Sequence, residues 1–243
     1  MMSIAATAGH VPSWPGALHA ASLLGREPSR GEVPGAAPVV HIVDLDDDAK
    51  LLSGWVRAAG MGARNYAMLG DFMDAQGRDT PSCLVVDARI ARGTHGDLGS
   101  LMQRLGARCP IVVTAYGADV PTAVLAMKTG AIDFVEKPFL QRDILEAIEA
   151  AIRIDGERRL AAARAAALNA RFATLSRRER QVMALVTTGR LNKQVAGDLG
   201  LSEVTVKAHR GAAMRKMAAR SVADLVRMAD ALGEMASAAT DLA

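Results

Sequence analysis

Apolar residues along this chain keep two rhythms, and the change from one to the other falls near residue 154. Between Pro38 and Arg153, continuous apolar runs bounded by turn-forming residues stand at Val39–Val43, Cys83–Val86, Ile111–Thr114 and Ile132–Val135. A weaker run lies near Ala63–Leu69. Runs this short, without polar alternation, predict strands covered on both faces. Segments of helical periodicity separate them at Ala49–Ala59, Gly96–Leu105, Pro121–Thr129 and Arg142–Ile152. In the last of these, Ile144, Ala147, Ile148, Ala151 and Ile152 make one apolar stripe. The alternation predicts an α/β doubly wound, five-stranded parallel sheet, with its chemistry at the carboxyl ends of the strands.

Beyond Ile154 the strand signal stops. Glu157–Ala170 is rich in Ala and Arg, a strong helix former with little apolar face, and reads as a linker helix. Ser176 followed by Glu179 is a capping box opening a helix that carries Val182, Leu185 and Val186. A short helix, Asn192–Leu199, ends at Gly200. Ser202 caps a third helix with Val206, Ala213 and Met217 at core spacing, and Ser221 caps a fourth. This is an all-α four-helix unit containing a helix-turn-helix. The resulting organisation is a flexible extension over 1–37, an α/β domain over 38–153, a helical linker over 154–173 and a helical domain over 174–243.

Charge sharpens the division. The 243 residues carry a formal net charge of +3. Residues 38–153 hold 12 Lys/Arg against 15 Asp/Glu, whereas residues 154–243 hold 15 against 9. A basic C-terminal module on an acidic body points to a polyanionic partner for that module. The absence of an apolar run near ~20 residues and of a charged-then-apolar leader predicts a cytoplasmic protein without a membrane partner. Cys83 and Cys109 form no disulfide framework and read as small core residues.

Asp44, Asp87 and Thr114 each end a predicted buried strand, and Lys137 follows the fifth. An exposed aspartate serves as nucleophile in phosphoryl transfer, further acids hold Mg2+, and a hydroxyl and an ammonium bind phosphoryl oxygens. With the stretch GADVPTAVLAMKTGAIDFVEKPF at Gly117–Phe139, this pattern resembles the receiver domains of two-component response regulators. The resemblance implies Asp87 as phospho-acceptor, Thr114 and Lys137 as phosphoryl partners and Phe134 at an aromatic switch position. It also implies a cis Lys137–Pro138 bond and Mg2+ bound by Asp44, Asp87 and a further acid. This sequence departs from the pattern at Leu45, where a second acid is the rule. Asp46 is the nearest replacement. It departs again at Arg89-Ile90-Ala91-Arg92, beside Asp87, where a Met-Pro pair is usual.

The third helix of the C-terminal unit presents Thr205, Lys207, Ala208, Arg210, Gly211 and Arg215 away from its core stripe. Small residues at 208 and 211 allow close approach to a groove floor, and Lys207 and Arg210 reach base edges or phosphates. Asn192, Lys193, Thr205 and His209 suit phosphate contacts. The motifs LSRRERQVMALVTTG and NKQVAGDLGLSEVTVKAHR resemble the LuxR/FixJ-type DNA-binding domain. The expected function is therefore a response regulator, not an enzyme, that binds double-stranded DNA as a homodimer. Its receiver would control dimerisation and promoter binding, through Asp87 phosphorylation or a phosphorylation-independent route. A sensor histidine kinase and RNA polymerase are the expected further partners. The alternatives are a degenerate receiver acting as a protein- or small-molecule-interaction switch, and an aspartate-nucleophile phosphatase. The phosphatase lacks its general acid, because Arg89 stands second after Asp87.

Overall fold

Five parallel strands run in the order β2-β1-β3-β4-β5: β1 (Val39–Val43), β2 (Gly62–Tyr66), β3 (Ser82–Asp87), β4 (Ile111–Tyr116) and β5 (Asp133–Lys137). The structure is a computed structural model describing residues 37–75, 80–90, 100, 102, 105, 109–117 and 120–241. The expected helix at Gly96–Leu105 falls largely outside these residues, as does the expected extension, Ala37 apart.

The central strands are predominantly apolar because both of their faces are covered. Successive side chains alternate between two cores. Val43, Leu84, Val86, Ile111 and Val113 pack with Phe72 on one face. Val40, Ile42, Val85 and Val112 pack with Leu52, Val56, Ile144 and Ile148 on the other. β2 is an edge strand whose Arg64 and Asn65 are exposed, which explains its weak sequence signal. The covering helices include α1 (Asp48–Ala58), α2 (Leu69–Asp74) and α3 (Val120–Lys128).

The next helix, α4 (Gln141–Ala173), is 33 residues long and unbroken. Sequence periodicity divides this stretch into a receiver helix and a separate linker, but the backbone runs straight through both. Its first half buries Ile144, Ala147, Ile148 and Ala151 against the sheet. Near its end, Leu168 and Phe172 pack against Leu175, Met183, Ala213, Met217 and Leu225. One helix therefore contributes to two cores.

Four helices follow: α5 (Arg177–Thr187), α6 (Asn192–Leu199), α7 (Glu203–Met217) and α8 (Val222–Asp241). The Ser176–Glu179 capping box is formed in both directions, the Ser176 N–H donating to Glu179 Oε2 at 2.7 Å. At the end of α6, Gly200 takes a left-handed φ of 64°, which favours glycine. There the Leu201 N–H donates to the Ala196 carbonyl at 2.9 Å, turning the chain into α7. No helix among the described residues is long and apolar enough to cross a membrane.

Candidate functional site

The carboxyl ends of β1, β3 and β5 bring Asp44, Asp87 and Lys137 into direct contact. Strand register places Asp87 beside Thr114, and Tyr116 beside Lys137. The Lys137 ammonium, fully buried, donates to Asp44 Oδ2 at 2.6 Å and to Asp87 Oδ2 at 2.8 Å. The Lys137–Pro138 bond is cis. Thr114 is buried, and its hydroxyl has no hydrogen-bond partner among the described residues. Phe134 is half-buried and packs against the core that holds Val113 and Ala115.

The second acid is Asp46. Leu45 is 59% exposed and points away from the pocket. Asp46 turns inward: its own N–H donates to Asp44 Oδ1 at 3.1 Å, and its carboxylate accepts from Arg89 Nη2. Asp44, Asp46 and Asp87 thereby offer oxygens lying within 4.8 Å of one another. Asp48 borders the same cluster, 3.5 Å from the Lys137 ammonium, and accepts the Tyr116 hydroxyl at 2.8 Å.

Arg89 is the group that sequence reasoning did not place. It sits in the first turn after β3 and reaches back over Asp87. Its backbone N–H and its Nε both donate to Asp87 Oδ1, at 2.8 and 3.0 Å. Its Nη2 donates to Asp87 Oδ2 at 2.7 Å and also to Asp46 Oδ2. The guanidinium lies 5.7 Å from the Tyr116 ring centroid. Burial acts to raise the Asp87 pKa, but the hydrogen bonds from Arg89 and Lys137 outweigh it and hold the pKa at about 2. Burial likewise acts to lower the Lys137 pKa, and the hydrogen bonds to Asp44 and Asp87 turn the balance upward.

A divalent cation needs free carboxylate oxygens, and here they are already engaged. All four oxygens of Asp44 and Asp87 accept hydrogen bonds, and Arg89 Nη2 bridges Asp46 Oδ2 and Asp87 Oδ2. The donor set has the right chemistry for Mg2+, but with Arg89 in this position the residues do not fit the ion.

A second candidate surface lies on α7. Val204, Lys207, Ala208 and Arg215 are exposed and Gly211 is half-buried, at the 3- and 4-residue spacing that defines one helix face. Val206, Ala213 and Met217 face inward. Lys207 pairs loosely with Glu203 at 3.3 Å. Arg210 turns toward α6, donating to Asn192 Oδ1 at 3.2 Å. The Thr205 hydroxyl lies 2.7 Å from that of Ser202, within the helix cap. Lys193 is exposed at the start of α6, and His209 is half-buried. Val204 was missed by sequence reasoning, although it is 77% exposed. The available signal was an apolar residue out of phase with the core stripe.

Comparison with known proteins decides what these two surfaces belong to. Residues 40–149 match the family model of the response regulator receiver domain. Residues 173–229 match that of the bacterial regulatory proteins of the luxR family. Nodulation protein W of Bradyrhizobium diazoefficiens is 41% identical over 196 residues, covering 80% of this chain and 86% of that protein. The chain belongs to the LuxR/FixJ-type response regulators. The transcriptional regulatory protein FixJ of Rhizobium meliloti is 40% identical, over 80% of this chain and 96% of its own length. The solved structure of the response regulator StyR superposes with a TM-score of 0.71 at 37% identity, covering 80% of this chain and 99% of that one. This response regulator therefore joins a receiver to a LuxR-type DNA-binding domain, in a family of transcription regulators.

Proposed function

We propose that this response regulator binds duplex DNA as a homodimer through the exposed face of α7, and that the state of Asp87 sets how well it does so. The observation that carries the reading is α4, packed into the receiver core at one end and into the DNA-binding core at the other. At ~1.5 Å per residue the helix is about 50 Å long, so a small tilt at the sheet becomes a displacement at the DNA-binding end. In this reading residues 38–153 act as the receiver, 154–173 as the helical link and 174–243 as the DNA-binding module.

Lys207 and Arg215 are the groups that reach base edges and phosphates, and Ala208 and Gly211 keep the helix close to the groove floor. Asn192, Lys193, Thr205, His209 and Arg210 flank that face and serve the phosphate backbone. One short recognition helix per chain reads few base pairs, so two half-sites supply affinity and specificity.

Asp87 is the proposed phospho-acceptor. A carboxylate oxygen attacks phosphorus, the donor's leaving group departs, and the new phosphoryl oxygens meet the Lys137 ammonium and the Thr114 hydroxyl. The buried, unpartnered Thr114 hydroxyl supports this assignment, because a phosphoryl oxygen would satisfy it. Phe134 is the proposed aromatic switch residue. Arg89 must release Asp87 before any transfer. A histidine kinase as donor, RNA polymerase as downstream partner and a cytoplasmic setting complete the reading. The test is selection by the full-length protein from a pool of random duplexes. Enrichment of a sequence with two related half-sites is expected, and a pool that stays random overturns the reading.

A further inference from the structure

We propose that Arg89 is the resident cation of the acidic pocket, standing in place of a divalent metal and keeping Asp87 engaged. This deepens the receiver reading and rests on it. Three carboxylates converge here, from Asp44, Asp46 and Asp87. Against these three, Lys137 supplies one fixed positive charge and Arg89 a second, leaving a formal charge of −1 before the bordering Asp48 is counted. Without Arg89 the same three acids and Lys137 would carry −2, the imbalance that a divalent cation neutralises.

The geometry matches the charge count. A planar guanidinium presents its donors as a fork that fits a carboxylate edge. Nε and Nη2 of Arg89 take the two oxygens of Asp87 at 3.0 and 2.7 Å. The same Nη2 reaches Asp46 Oδ2, so a single nitrogen joins the two acids a metal ion would bridge. The Tyr116 ring backs the guanidinium, and the Tyr116 hydroxyl is itself tied to Asp48. The Arg89 side chain stays 45% exposed, so it can swing outward without disturbing the core.

Leu45 acquires an explanation from this arrangement. An acid at position 45 would project toward solvent, as the leucine does, while Asp46 turns inward to meet Arg89. Asp46 and Arg89 thus act as a pair, an inward acid matched to an internal cation.

The experiment is calorimetric titration of the full-length protein with MgCl2 alone, on wild type, Arg89→Ala and Arg89→Lys. Wild type should give no saturable heat at millimolar Mg2+. Arg89→Ala should bind at least about tenfold more tightly, because a full positive charge has left the site. Arg89→Lys should stay near wild type, since it keeps the charge. Each protein is then treated with acetyl phosphate and Mg2+, and intact mass should show a phosphoryl group on Arg89→Ala and little on wild type. Wild type binding Mg2+ as tightly as Arg89→Ala overturns the proposal, and so does Arg89→Ala that folds but gains no Mg2+ affinity. Should the alanine variant fail to fold, Arg89→Gln replaces it under the same criteria. Duplex binding by wild type in metal-free buffer is scored separately. Its failure would count against the DNA-binding reading and leave the Mg2+ result intact.

Discussion

The backbone N–H of Ser82, at the start of β3, donates to the Asp155 carboxylate in mid-α4 at 2.9 Å, across 73 residues of chain. Asp155 is fully buried and also accepts from Arg158 and Arg159, three and four residues further along α4 and so one helical turn away. The contact fixes the long helix to the amino end of the central strand β3, the end opposite the acidic pocket.

Asp155→Ala should therefore destabilise the fold by about 1–3 kcal/mol, because the buried Ser82 N–H loses its acceptor. Asp155→Asn keeps an acceptor of the same shape and should lose less. Urea midpoints for the three proteins check the order. A midpoint for Asp155→Ala equal to that of wild type would show that the carboxylate anchors nothing.

Lys137 is a second buried charge on which the receiver depends, paired with the equally buried Asp87. Lys137→Met leaves Asp44 and Asp87 without their shared ammonium and should cost about 3–5 kcal/mol. Adding Asp44→Asn to Lys137→Met should recover part of that loss, because one uncompensated charge is removed. A double-mutant cycle on urea stability measures the coupling. Strict additivity of the two substitutions would argue against a shared charge network.

The parts of this architecture that could be read from sequence are those where burial and chemistry agree. β1, β3 and β4 are buried along most of their length, so their apolar runs stand out. Asp44, Asp87 and Thr114 were legible because each polar residue interrupts such a run at its end. α2 was not, since only Leu69 and Phe72 of its six residues are buried. Asp155 was invisible for a different reason: a carboxylate amid Arg and Glu on a helix reads as solvent-facing. Arg89 was seen only as an altered loop, because spacing gives no side-chain direction. The same ignorance of direction attached to Leu45 and Asp46, which the fold resolves in opposite senses.

Glu179 predicts a pH dependence with a definite sign. The Lys216 ammonium, 2.7 Å away, and the Ser176 N–H hold its carboxyl below the usual carboxylate range. A depressed folded-state pKa contributes stability above the unfolded value of about 4.3, and that stability is lost as pH falls through the folded pKa. Glu179→Gln should lower Tm at pH 7, and the gap to wild type should close as pH is brought below about 4. Thermal melts of both full-length proteins across that range provide the check. A gap that stays constant with pH would assign the loss to the capping geometry alone.

The face of α7 gives the prediction that bears most directly on function. Lys207 and Arg215 are both exposed on it, but their positions along the helix differ. Lys207 lies in the second turn, next to exposed Val204 and Ala208, the part of the helix that the proposed binding mode takes deepest into a groove. Its ion pair with Glu203 is between exposed groups and holds it weakly. Arg215 lies two turns further on, near the helix end, where the proposed binding mode brings it to the phosphate backbone. Lys207→Ala should weaken binding to a selected duplex by about 1–3 kcal/mol and relax the preference at one base position. Arg215→Ala should weaken all duplexes alike and reduce the slope of log affinity against log salt by about 0.9, one phosphate contact. Fluorescence anisotropy on matched and single-substituted duplexes, at several salt concentrations, separates the two behaviours. If Lys207→Ala instead loses affinity uniformly with a shallower salt slope, Lys207 contacts phosphate, and base reading passes to Val204 and its other neighbours on the face.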